Sequence, residues 1–136
     1  MPPARPTLRF DLAVGLVSAR AADPPSRDFI WRNSGDAERI AIGWWPGDAR
    51  YAKAAFFGYA YPAPEGFASA TLSPAAAHWD STLGEFILDW DDIRGVADPH
   101  QAVLDFGRSV VLHACAVCNW DPGLAASVEG EPPPVA

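Results

Sequence analysis

From Phe56 to Asp92 the chain reads FFGYAYPAPEGFASATLSPAAAHWDSTLGEFILDWDD, and the pattern of this stretch decides the fold class. Between Ala54 and Tyr61, the residues Phe57, Tyr59 and Tyr61 alternate with Phe56, Gly58 and Ala60. That is the period of two of a strand with both faces in use. Pro62, Pro64 and Gly66 end it, because proline and glycine break a ladder and open a loop. Ala75 to Asp80 and Gly84 to Trp90 supply two further strands, joined by the turn-like Asp80-Ser-Thr-Leu-Gly84. The stretch also concentrates aromatic residues and carboxylates, so it presents a polar-aromatic surface.

The flanking segments extend the same pattern. Leu8, Phe10, Leu12, Val14 and Leu16 alternate with Arg9, Asp11, Ala13 and Gly15, which predicts a half-buried antiparallel strand. Ile40 to Trp45 is another strand, stopped by Pro46-Gly47-Asp48. Residues 19–38 carry turn formers and charges and read as a long, mobile connection. Downstream, Asp98 offers an N-cap acceptor before Pro99, whose missing N–H costs nothing at the first helical position. Ala102, Val103, Phe106, Val110, Ala114 and Val117 then form one apolar stripe, so Pro99–Cys118 is expected to be an amphipathic helix, ended at Asn119. The expected fold is α+β: an antiparallel sheet of about five strands packed against one long C-terminal helix. Residues 7–128 are expected to form the domain, with disordered residues at 1–6 and 129–136.

Composition narrows the function classes. At 136 residues the chain is one domain, long enough to bury roughly two thirds of its unfolded surface. Seventeen acidic residues against ten basic ones give a net charge of −7, which opposes binding to nucleic acid or to an anionic membrane surface. No run is long and apolar enough to span a bilayer, and the first residues lack a secretory pattern, so a cytoplasmic location is expected. Rich alanine and proline, with arginine in place of lysine, point to a GC-rich, bacterial source.

Gly43-Trp-Trp-Pro-Gly47, the segment FFGYAYPAPEGF (residues 56–67) and the run HWDSTLGEFILDWDDIRGVADPHQAVLDF from His78 resemble the domain of unknown function 5996 family. Phe10-Asp11-Leu12-Ala13-Val14 and the closing Asn119-Trp120-Asp121 fit the same family, and the chain resembles its C-terminal half. Where members often carry a His-Glu pair, this chain has Ala37-Glu38. The resemblance implies no activity, substrate or cofactor.

Three constellations carry candidate chemistry. His113, Cys115 and Cys118 offer soft metal ligands, but a tetrahedral site needs a fourth, and these positions do not share one helical face. The expectation is therefore no metal, with the cysteines as small buried hydrophobes in reduced form. The carboxylates Asp80, Glu85, Asp89, Asp91 and Asp92, with His78, suit acid–base work if their environments separate their pKa values. On a strand Glu85 and Asp89 share a face, as do Asp89 and Asp91 if the strand continues; a solvated sheet edge accounts for the same charges. The aromatic residues Trp44, Trp45, Tyr59, Tyr61, Trp79 and Trp90 suit either a pocket for a flat ligand or the space between sheet and helix. No nucleophile elbow and no phosphate-cradling glycine loop is present.

The ligand-binding candidates are accordingly Trp45, Tyr59, Tyr61, His78, Trp79, Glu85 and Asp89, with no cofactor. Two classes remain open. One is a non-catalytic domain that binds a ligand or a partner. The other is a small-molecule enzyme with an aromatic-acidic pocket around Tyr59, Tyr61, His78 and Glu85. An uncovered apolar face on the first strand, extended by Trp44-Trp45, predicts a homodimer or pairing with another chain.

Overall fold

Alternation dictates a sheet, and a computed structural model of the chain shows one. It describes residues 11–28, 36–120 and 123. Five antiparallel strands, β1 (Leu12–Ala21), β2 (Ala37–Trp45), β3 (Ala55–Tyr61), β4 (His78–Asp80) and β5 (Glu85–Asp89), stand in the order β1-β2-β3-β5-β4. A single turn of helix, α1 (Trp90–Ile93), follows β5, and the long helix α2 (Pro99–Val117) follows α1. The fold is α+β, two layers deep. The expected terminal segments 1–6 and 129–136, with Leu8 and Phe10, lie outside the described residues.

The register divides the side chains into two faces. Leu12 pairs with Trp44, Val14 with Ile42 and Leu16 with Ile40. Ile40 pairs with Ala60, and Trp44 with Phe56. Phe56 pairs with Leu88, and Trp79 with Phe86. All of these point toward α2, where Phe106, Val110 and Ala114 are fully buried against Ile40, Phe86 and Leu88. Each such large apolar side chain contributes roughly 1.5–3 kcal/mol on burial. At Gly58 the helix comes so close that a Cβ would lie 2.9 Å from Cγ1 of Val110, so only glycine fits there.

The ends of α2 follow their local chemistry. The Asp98 carboxylate accepts a hydrogen bond from the Gln101 amide at 3.0 Å, satisfying an otherwise orphan donor. At the other end Asn119 adopts φ 51°, and the Trp120 amide donates to the Cys115 carbonyl at 3.1 Å. That is a Schellman closure, with asparagine in the usual glycine place.

Several boundaries differ from the expectation. The connection between the first two strands is shorter than 19–38, because β1 runs on to Ala21 and β2 begins at Ala37. Polar partners hold this extension: the Ser18 hydroxyl donates to Glu38 at 2.7 Å, and the Arg20 guanidinium pairs with the same carboxylate at 2.7 Å. β4 keeps only three of its six expected residues. β5 stops at Asp89, because the Trp90 amide turns to the Ala54 carbonyl at 3.0 Å and begins α1. Asp91 and Asp92 are therefore on that helix, and Asp91 does not continue the face of Asp89. A 3-10 turn at Phe67–Ser69, which periodicity does not reveal, buries Phe67 under the sheet–helix core.

Candidate functional site

The face of the sheet turned away from α2 carries six of the seven predicted site residues. Alternation places Trp45, Tyr59, Tyr61, Glu85 and Asp89 there, with His78 opposite Ile87. Trp79 lies on the opposite face. It faces α2, edge-on to Phe67 and Phe86 at 5.9 and 4.9 Å between centroids, and serves the core. The Trp44-Trp45 pair likewise splits across the sheet: Trp44 faces the helix side, while Trp45 packs edge-on to Phe57 on the other.

The six are committed to different partners. Trp45, Phe57 and Ile87 form a small second core, with Tyr59 stacked on Phe57 at 6.3 Å. The Tyr61 hydroxyl donates to the Asp23 carbonyl at 2.5 Å, and its ring lies 4.4 Å beneath the Arg39 guanidinium. His78 is exposed, with Nδ1 3.2 Å from the Ala76 carbonyl. Glu85 is half-buried and stands directly opposite Asp80 across the β4–β5 pair. Asp89 is the one buried charged residue of the described chain, and its carboxylate accepts a 2.5 Å hydrogen bond from the Tyr51 hydroxyl. Burial first, and then the Asp89 carboxylate, push the Tyr51 phenol above its ordinary pKa. Lys53 adds a long ion pair to Asp89 at 3.8 Å. Tyr51, absent from the sequence-based candidates, thus pins the 46–54 loop to the sheet. Its distance of 38 positions from Asp89 left no local signal.

The His113, Cys115 and Cys118 trio does not converge. The His113 ring stacks on Phe67 at 5.5 Å, with Nε2 3.0 Å from the Phe67 carbonyl. Cys115 is buried and Cys118 half-buried, both as thiols, and burial raises the pKa of each. Among the described residues no cluster of three ligating side chains suits a metal ion.

Two hollows open on the helix side of the sheet, away from the six candidates of the other face. α2 crosses β2 and β3 and leaves the outer part of that face open. The opening is a groove of about 390 Å³ between Val14, Leu16, Ile40 and Ile42 on the sheet and Val103, Leu104, Gly107, Arg108 and Val111 on the helix. It runs on past Gly43 and Trp44 to a second hollow of about 350 Å³ bounded by Leu12, Phe56 and Trp90. Leu12 and Val14 remain 64% and 74% exposed, so no described residue closes the outer side. Among the described residues, Arg108 is the only ionisable one on its walls. The arrangement can therefore hold an apolar group. The apolar row Leu12, Val14 and Leu16 was legible as period two. The helix wall of Val103, Leu104 and Gly107 was not, since Leu104 and Gly107 lie outside the stripe.

Fold and groove together define a two-layer α+β domain with an open apolar channel beside its helix. The sequence model of a family of unknown function, DUF5996, matches residues 8–127, and the chain belongs to that family. The match spans nearly the whole chain, so the narrower likeness to a C-terminal half is set aside. No curated protein and no solved structure matches it. Among the described residues no helix is long and apolar enough to cross a membrane.

Proposed function

We propose that the protein is a non-catalytic binding domain whose groove between β1–β2 and α2 receives an apolar surface or ligand. One observation carries this reading: a groove of about 390 Å³, with exposed Val14 on its rim and walls that are apolar, apart from Arg108, among the described residues. A contiguous apolar surface left in water marks a place of contact. Homodimer, partner chain and small molecule are all occupants of this one site. Independence from nucleic acid belongs to the same reading, supported by the net charge of −7, and so do a cytoplasmic location and the lack of a cofactor, as expectations.

A thermal-shift screen of metabolites, apolar compounds and divalent metals tests it. A ligand at a hundred times its dissociation constant adds about 2.7 kcal/mol. Gly107→Leu fills the groove, since a Cβ there lies 3.6 Å from Cγ2 of Ile42 and finds room. Stabilisation that Gly107→Leu removes supports the groove; stabilisation that it leaves intact places the site elsewhere. A second reading, small-molecule chemistry on the opposite face, draws support from Asp80 and Glu85. The two carboxylates stand directly opposite each other across the β4–β5 pair, on the same face as His78 and Tyr59. In the same screen it predicts stabilisation abolished by Glu85→Gln and indifferent to Gly107→Leu.

A further inference from the structure

We infer that the partner of the groove is a second copy of this chain, joined through antiparallel pairing of β1 with its twofold mate into a continuous ten-stranded sheet. The inference rests on the groove reading above and specifies its occupant. The two edges of the sheet are built differently. β4 is three residues long and carries His78 and Asp80, which is how an edge is kept from pairing. β1 is ten residues long, and among the described residues it pairs only with β2. From Leu12 to Ser18 it reads LAVGLVS, with no proline and no charge. Its pairing with β2 is regular from Leu12 to Val17 and irregular only beyond, so about 20 Å of straight edge is available.

The sequence of the edge favours a copy of itself. At a net charge of −7 two copies repel, and an uncharged edge is where they approach at least cost. A twofold axis at Gly15 sets Val14 opposite Leu16, Ala13 opposite Val17 and Leu12 opposite Ser18, so every facing pair is apolar or small. Such an axis stands perpendicular to the sheet and brings both α2 helices to the same side. Area decides the rest. An edge of six residues is too small for a stable interface, which needs about 800 Å² from each partner. The two grooves must close as well, covering Leu12, Val14 and Leu104, which are 64%, 74% and 49% exposed in the single chain.

Sedimentation of the full-length chain tests this across dilution, with a dissociation constant expected on the order of micromolar. Gly15→Lys is the deciding variant. A Cβ at Gly15 has its nearest neighbour at 3.9 Å, so the fold tolerates a side chain, yet the two ammonium groups face each other across the axis. It should weaken association at least about tenfold, while Gly15→Ala dimerises like the parent and both keep the parent's circular dichroism. Amide exchange at Leu12–Val17 should slow as concentration rises in the parent and not in Gly15→Lys. A parent that stays monomeric throughout overturns the proposal, and so does Gly15→Lys associating as tightly as the parent. Association that Gly107→Leu abolishes and Gly15→Lys spares also overturns the edge pairing, while leaving the groove reading in place. The ligand screen judges that reading separately.

Discussion

Tyr51 and Asp89 show how one hydrogen bond sets two properties. The Asp89 carboxylate is buried, so the donor at 2.5 Å offsets much of the cost of removing it from water. Tyr51→Phe should destabilise the protein by about 1–3 kcal/mol, read from the urea midpoint at neutral pH. The folded phenol keeps its proton to higher pH than the unfolded one, whose pKa is about 10. Its stabilising contribution is therefore fully present below that value and is lost as pH rises beyond it. Above pH 10, accordingly, the midpoint should fall more steeply in the parent than in Tyr51→Phe. Gly107 is a contrasting case. It occupies a mid-helix position where a methyl group meets Ile42 at 3.6 Å, so Gly107→Ala should stabilise by about 0.5–1 kcal/mol in the same measurement.

At the scale of elements, α2 holds the core. Phe106 is fully buried among Ile40, Phe86 and Leu88, so Phe106→Ala should cost about 3–5 kcal/mol by denaturant titration. Asp98→Ala removes only the cap and should cost about 1 kcal/mol. Purified protein should carry less than stoichiometric zinc by elemental analysis, because His113 is held against Phe67 and cannot turn to the cysteines. The helix, its cap and its stripe were all legible, since each is a local signal within a few residues. Strand existence was legible for the same reason, through period two. Strand ends were not: Arg20 and Ser18 look like loop residues until Glu38 lies beside them. That Trp79 lies on the helix side, apart from the other six candidates, was not legible, because alternation gives two faces and never says which one meets the helix. The groove escaped notice on its helix side because it depends on where α2 lies across the sheet, and the stripe does not encode that placement.

At the scale of the whole molecule, protection should grade from the centre of the sheet to its edges. β3 and β5 carry Phe57, Phe86, Ile87 and Leu88, nearly all buried, and their amides should exchange slowest. The outer amides of β1 and β4 should exchange first in dilute solution, by hydrogen exchange with mass spectrometry. The Arg20 guanidinium, moreover, reaches the Cys118 carbonyl at 3.0 Å, a bond between positions 98 apart. It joins β1 to the C-terminal end of α2. During synthesis all five strands leave the ribosome before α2 does, so Ile40, Phe86 and Leu88 gain their helix-side cover of Phe106, Val110 and Ala114 last. The two-layer core therefore closes from its C-terminal side, with the sheet's helix-side face exposed until α2 has been made.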